Sequence, residues 1–109
     1  MWQIKIYDLE FIDPLLRTIL KQIEEYWGLG TITSLYRIGD SGVHGCLPLR
    51  GVDEECRHSV LGKLKSLYIN TKWVYDPDRP VKQCARWHDS GGGPHIHYQV
   101  HPNTIRREA

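Results

Sequence analysis

The sequence predicts an α+β fold: an antiparallel sheet of about four strands with helices packed on one face. Two amphipathic helical patterns and four alternating segments support this prediction, in the order helix, strand, strand, helix, strand, strand. The chain has 109 residues, a length typical of one domain that buries its own core. We therefore expect residues 1–109 to form a single domain.

Both helices are predicted from apolar residues spaced three and four apart. The first covers residues 13–27, begins at Asp13 and Pro14, and ends at Gly28. The second is expected at about residues 57–69, where Gly62 should weaken it slightly. Its expected apolar stripe consists of Val60, Leu61, Leu64, Leu67 and Tyr68.

Four segments have strand-like alternation: residues 31–38, 47–54, 81–88 and 94–101. The last two are expected to pair as an antiparallel hairpin across the loop DSGGG. In the last strand, alternation places Ile96, Tyr98 and Val100 on one face and His95, His97, Gln99 and His101 on the other. Taken alone, this row of histidines is typical of the water-facing side of an antiparallel sheet.

Composition excludes several classes of partner. The 14 basic and 13 acidic residues leave a net charge of +1, so we expect no nucleic-acid partner. No apolar run approaches the roughly 20 residues of a membrane-spanning helix, and the N-terminus lacks the features of a signal peptide. We therefore expect synthesis in the cytoplasm, reduced cysteines and no membrane partner.

A metal site is predicted from two residues outside the histidine row. His44 lies in a glycine-rich loop, Asp53 lies in a strand, and Gly51 on the face of Asp53 leaves room for a ligand. Catalytic zinc sites use three protein ligands and keep one position for water. His44, Asp53 and one of His95 or His97 would supply such a set. The alternative is that Asp53 caps the helix that follows it and no metal binds.

The run ITSLYRIGDSGVHGCLPLRGVD, followed by GPHIHYQV, resembles a superfamily of zinc peptidases. This superfamily contains D-alanyl-D-alanine carboxypeptidases, L-alanyl-D-glutamate endopeptidases and the amino-terminal domain of hedgehog proteins, and the match covers about residues 31–101. The resemblance implies a hedgehog-like fold and a zinc ion held by His44, Asp53 and His97. It also implies that Arg37 contacts a substrate carboxylate or the developing oxyanion. The combination of motifs looks like short phage or prophage members of the group.

The resemblance further implies cleavage of peptidoglycan peptides, of the D-Ala-D-Ala carboxypeptidase or endopeptidase type, by a metal-activated water. One branch of the superfamily has an acid where this chain has Pro94. The general base therefore stays open between His95 and Asp89, while His88 could orient a ligand through a hydrogen bond. A phage-type protein would act from the virion or after lysis.

The missing acid also favours an alternative function. The chain would then be a zinc-binding recognition module or phage structural module that does not hydrolyse peptides. A domain of the same fold without a metal is the third hypothesis.

Overall fold

The computed structural model describes residues 12–28, 30–34, 50–90 and 93–107. These residues form two helices, α1 (Pro14–Trp27) and α2 (Ser59–Lys72). They also form six strands: β1 (Ile32–Ser34), β2 (Gly51–Glu55), β3 (Trp73–Val74), β4 (Ala85–Ser90), β5 (Gly93–Gln99) and β6 (Ile105–Arg106). Both predicted helices are confirmed. Two parts of the predicted strands lie outside the described residues: 35–38 of the strand predicted at 31–38, and 47–49 of the strand predicted at 47–54.

The main sheet has the strand order β1-β2-β5-β4, and every neighbouring pair is antiparallel. The predicted α+β class, the antiparallel sheet and the β4–β5 hairpin are therefore confirmed. The hairpin strands extend further into DSGGG than predicted, because Asp89 pairs with Pro94 and Ser90 with Gly93. Strands β2 and β5 lie at the centre, and their register from Gly51↔Gln99 to Glu55↔His95 determines which side chains share a face.

A second, two-stranded sheet was not predicted. Strand β3 pairs with β6 through Trp73↔Arg106 and Val74↔Ile105. Each strand has only two residues, too few to show an alternating pattern in the sequence.

Helix α1 forms as its sequence predicts. The Asp13 side chain accepts a hydrogen bond from the Leu15 amide at 2.8 Å, Pro14 takes the first turn, and Gly28 ends the helix with a φ of 86°. The buried stripe consists of Leu16, Ile19, Leu20 and Ile23, and full burial of each such side chain stabilises the fold by about 1.5–3 kcal/mol.

Helix α2 packs only part of its predicted apolar stripe, Leu61 and Tyr68, against the core. Its buried residues are Gly62, Lys65, Ser66 and Ile69, whereas Val60, Leu64 and Leu67 are more than half exposed. The reason is contact with the sheet: a Cβ at Gly62 would lie 2.1 Å from the Trp87 ring, so only glycine fits there. The indole N–H of Trp87 also donates to the Cys56 carbonyl at 2.8 Å. Gly62 thus permits close packing of helix on strand.

The face of the sheet under the helices is buried. Val52 and Glu54 of β2 and Ile96 and Tyr98 of β5 are at most 1% exposed. The three apolar side chains among them join the α1 residues in one hydrophobic core. The opposite face carries Asp53, His95 and His97, all partly exposed. In the part of the chain that the structure describes, neither helix is long and apolar enough to cross a membrane.

Candidate metal centre

Two of the three predicted metal ligands meet in the structure. Asp53 and His97 are directly paired across strands β2 and β5, and Asp53 Oδ1 lies 2.7 Å from His97 Nδ1. Their side chains are 13% and 22% exposed, respectively. The third predicted ligand, His44, lies outside the described residues. The register of two central strands therefore brings together a carboxylate and an imidazole that are 44 positions apart.

The second nitrogen of His97 also has a defined partner. His97 Nε2 lies 3.1 Å from Gln99 Oε1, and the Gln99 amide nitrogen donates to the Gln83 carbonyl at 2.9 Å. A carbonyl oxygen only accepts hydrogen bonds, so the Gln99 amide must point its NH₂ at Gln83 and its oxygen at His97. His97 Nε2 therefore carries a hydrogen and donates it to Gln99.

The hydrogen bond to Gln99 determines which nitrogen of the neutral His97 ring faces Asp53 with a lone pair. When Nε2 of a neutral imidazole carries the hydrogen, Nδ1 presents a lone pair, and here that lone pair faces a carboxylate oxygen. Two electron-pair donors at 2.7 Å need a positive charge between them. A second proton on the ring supplies it, and so would a metal cation.

The donor set fits zinc. Nitrogen from histidine and oxygen from aspartate are both ordinary zinc ligands, and two ligands of a tetrahedral ion stand about 3.3 Å apart at bond lengths near 2.0–2.1 Å. The present separation of 2.7 Å would thus have to widen by about 0.6 Å for both side chains to bind the same ion. Within the described ranges, no group of three His, Cys, Asp or Glu side chains could hold a metal ion. Of the predicted ligands, Asp53 and His97 lie inside these ranges and His44 lies outside them.

His95, the first candidate for the general base, lies on the same face. Its Nδ1 is 2.8 Å from the Gly93 carbonyl oxygen, so Nδ1 donates a hydrogen and Nε2 of the neutral ring holds a lone pair. The ring packs against His88, with 4.2 Å between the two centroids. Burial, followed by electrostatic interactions with His95 and Arg86, lowers the pKa of His88. His88 is consequently neutral near pH 7.

The other two predicted catalytic residues are not in this set. Arg37 lies outside the described residues. Asp89 is exposed and pairs with Pro94, and alternation along β4 puts it on the face opposite His88. The structure therefore does not bring Asp89 to the face of the sheet that carries His97.

Two residues on the site face were missed in the sequence: Arg86 lies directly opposite His97, and Glu55 lies directly opposite His95. Gln99, which alternation had already placed on this face, was assigned no role. Arg86 and His88 are two residues apart in CARWHDS, so hairpin pairing with HIH was the signal that could have found Arg86. Glu55 depends on the pairing of β2 with β5, which local sequence patterns do not encode.

An open cleft with a volume of about 470 Å³ lies beside His97. Its lining residues are Val81, Lys82, Gln83, Arg86, His88, His97 and Gln99. Lysine and arginine line it without a carboxylate among these residues, so the cleft is suited to an anionic group.

Comparisons with protein-family models, curated proteins and solved structures find no match. The resemblance to zinc peptidases thus rests on the sequence motifs, and the geometry of the site is independent of it.

The remaining described histidines have structural partners. His58 caps helix α2, because its Nδ1 accepts from the Leu61 amide at 3.3 Å. His101 Nδ1 accepts from the Asn103 amide at 3.1 Å in the turn before β6. The histidine row of the last strand therefore divides into a site part, His95 and His97, and a structural part, His101.

Proposed function

We propose that this chain is a zinc-dependent peptidase that cleaves peptidoglycan peptides, of the D-Ala-D-Ala carboxypeptidase or endopeptidase type. The observation that supports the proposal is the 2.7 Å contact of Asp53 with His97 Nδ1, in which two electron-pair donors face each other and a metal cation can take the place of a ring proton between them. Asp53 and His97 would hold the zinc together with His44. Bound zinc in a site of this kind lowers the pKa of its water to about 7 and polarises a carbonyl group.

His95 is the proposed general base. Because Nδ1 is committed to the Gly93 carbonyl, Nε2 is the nitrogen that can take a proton from the attacking water and return it to the leaving amine. The C–N bond of the scissile amide breaks, and its carbon gains the water oxygen. Glu55, across from His95, is a carboxylate on the same face of the sheet and is paired with Arg57 at 2.8 Å.

Arg86 would attract the substrate. Its guanidinium borders the cleft beside His97 and can bind a peptide carboxylate with two parallel hydrogen bonds. In the proposal, Arg37 shares this role or contacts the oxyanion.

The proposal is tested with purified protein that has been stripped of metal and reloaded with one equivalent of zinc. We expect the zinc-loaded protein to release amines from peptidoglycan or from short D-alanyl peptides. The substitution His95→Ala should abolish release while zinc stays bound in a 1:1 ratio by elemental analysis. The matched control is His58→Asn, which removes a histidine outside the site and retains a helix-capping side chain; its activity should equal that of the wild type. Full activity of His95→Ala would refute the assignment of the base.

A specific observation favours a second candidate function. Pro94 takes the position of the acid found in one branch of the superfamily, and Asp89 lies on the other face of the sheet. A zinc-binding recognition or phage structural module that does not hydrolyse peptides is consistent with both. Stoichiometric zinc without amine release from any peptidoglycan substrate would support this second function.

A further inference from the structure

We infer that Gln99 is a positioning residue that fixes which nitrogen of His97 is presented to the metal. This inference rests on the proposed zinc site and goes beyond it, because Gln99 is not one of the proposed ligands or catalytic groups. Two hydrogen bonds connect the Gln83 carbonyl through the Gln99 side-chain amide to His97.

The direction of donation is defined at each of these hydrogen bonds. The Gln83 carbonyl can only accept, so it holds the Gln99 NH₂ group at 2.9 Å. The Gln99 oxygen then accepts from His97 Nε2 at 3.1 Å, which leaves Nδ1 directed at Asp53. Each link determines the next, and the orientation begins at a backbone carbonyl oxygen, which can accept hydrogen bonds but cannot donate them.

The backbone explains why Gln99 can do this. His97 and Gln99 are separated by one residue on β5 and therefore project from the same face of the strand. Gly51 is the residue paired with Gln99 on β2, so no side chain competes on that side. The backbone N–H of Gln99 donates to the Cys84 carbonyl, in the residue before β4, at 2.8 Å. The Gln99 backbone is thereby held next to Gln83.

A simpler explanation is that neighbouring polar side chains on a wet strand form a hydrogen bond without consequence. The anchor at Gln83 distinguishes the two explanations, because an unanchored amide could rotate by 180° and donate to Nε2 instead. A rotated amide would move the ring hydrogen to Nδ1, the nitrogen that faces Asp53. Groups that hold the second nitrogen of a metal-binding histidine typically change metal affinity by about 10- to 100-fold when they are removed.

The test compares Gln99→Met, Gln99→Glu and the control Gln83→Met with the wild type. Methionine at position 99 keeps the size of the side chain and removes the acceptor, whereas glutamate keeps an acceptor for Nε2. Methionine at position 83 removes a side-chain amide from the same cleft and keeps the backbone carbonyl that anchors Gln99. Two quantities are measured: the zinc dissociation constant by chelator competition, and the hydrogen-bearing nitrogen of the neutral His97 ring by ¹⁵N NMR of the metal-free protein, at a pH high enough to remove the second ring proton.

We expect Gln99→Met to weaken zinc binding by about 10- to 100-fold and to lose the preference for hydrogen on Nε2. Gln99→Glu should restore affinity to within a few-fold of the wild type, and Gln83→Met should change neither quantity. An unchanged dissociation constant together with an unchanged tautomer in Gln99→Met would overturn the inference while the zinc site stands.

The failure of the proposed function is recognised separately. If the wild type itself binds no zinc, the proposed peptidase is wrong, and the NMR measurement on the metal-free chain decides the role of Gln99 alone. Hydrogen on Nε2 in the wild type, lost in Gln99→Met, supports the positioning role. The same tautomer in both proteins contradicts it.

Discussion

Asp53 and Glu54 are neighbours on strand β2, and their surroundings are opposite. Glu54 points under the helices, is 1% exposed, accepts a hydrogen bond from the Tyr98 hydroxyl at 2.7 Å and forms an ion pair with Lys65 at 3.0 Å. Asp53 points to the other face, is partly exposed and contacts His97. The two carboxylates even use consecutive residues of β5, His97 and Tyr98.

The difference separates a structural carboxylate, Glu54, from Asp53, the carboxylate that is proposed to bind a metal. Glu54 has a lysine and a phenol that both donate to it, and the burial of this group leaves no room for a ligand. Burial, the negative charge of Glu54 and the hydrogen bond to it raise the pKa of Tyr98 well above its ordinary value, so the phenol keeps its hydrogen. Asp53 instead contacts Nδ1 of His97, and Gln99 binds the other nitrogen of that ring. The His97 side chain borders the open cleft.

The largest effect is expected when the buried ion pair is broken. Lys65→Met keeps the length of the side chain and leaves the Glu54 carboxylate without its cation. Because both side chains are at least 92% buried, water cannot replace the lost ammonium group. Removing one partner of a buried ion pair typically costs about 3–5 kcal/mol of unfolding free energy. Urea denaturation of the metal-free protein measures this loss.

The double variant Lys65→Met/Glu54→Gln is the control for that measurement, since it removes both charges. It should recover a substantial part of the lost free energy. A loss below about 1 kcal/mol for Lys65→Met would contradict the structural role of the pair.

A smaller and pH-dependent effect is expected at Asp76, a second structural carboxylate. Its Oδ1 accepts from the Asp78 amide at 3.0 Å and its Oδ2 from Arg79 Nε at 2.9 Å. The Asp78 N–H, with further hydrogen bonds from Arg79 and Asn103, lowers the pKa of Asp76. A carboxyl group with a lowered pKa stabilises the fold above its unfolded pKa of about 4. That stability is lost as the pH falls through the folded value.

The measurement compares the wild type with Asp76→Asn over the range pH 7 to pH 3. The variant should be less stable at pH 7, and the difference in unfolding free energy should shrink as the pH approaches 3. A difference that stays constant over this range would show that the charge of Asp76 does not contribute.

Much of this fold could be predicted from the sequence because local patterns encode it. The Asp13–Pro14 start and Gly28 end of α1, the alternation of PHIHYQVH and the β4–β5 hairpin all depend on residues close together in the chain. The buried face of α2 could not be predicted in this way. Its apolar stripe suggested Val60, Leu64 and Leu67, but contact of Gly62 with Trp87 turned another face inward.

The site was predictable in part for a related physical reason. Alternation put His95 and His97 on one face, and Asp53 on a face with Gly51, but no local pattern specifies the register of β2 against β5. That register determines that Asp53 meets His97 and that Glu55 meets His95. Asp89 was expected to reach the metal only from a flexible loop, but the hairpin strands extend two residues further than the glycines of DSGGG suggested. A position in a flexible loop could have reached His97, whereas a position within β4 is bound to the alternation of that strand.

The smallest effect on folding is expected at Asp53, and this sharpens the contrast with its neighbour. In Asp53→Asn the amide N–H can donate to His97 Nδ1 while Nε2 keeps its bond to Gln99, so no buried charge is left unpaired. The unfolding free energy of the metal-free variant should therefore differ from that of the wild type by about 1 kcal/mol or less. Zinc at about 100 times the wild-type dissociation constant should stabilise the wild type by about 2.7 kcal/mol and the variant by much less. Thermal unfolding with and without zinc measures both quantities. If Asp53→Asn destabilised the metal-free protein as strongly as Lys65→Met, Asp53 would be a structural carboxylate like Glu54, and the two faces of β2 would not differ in role.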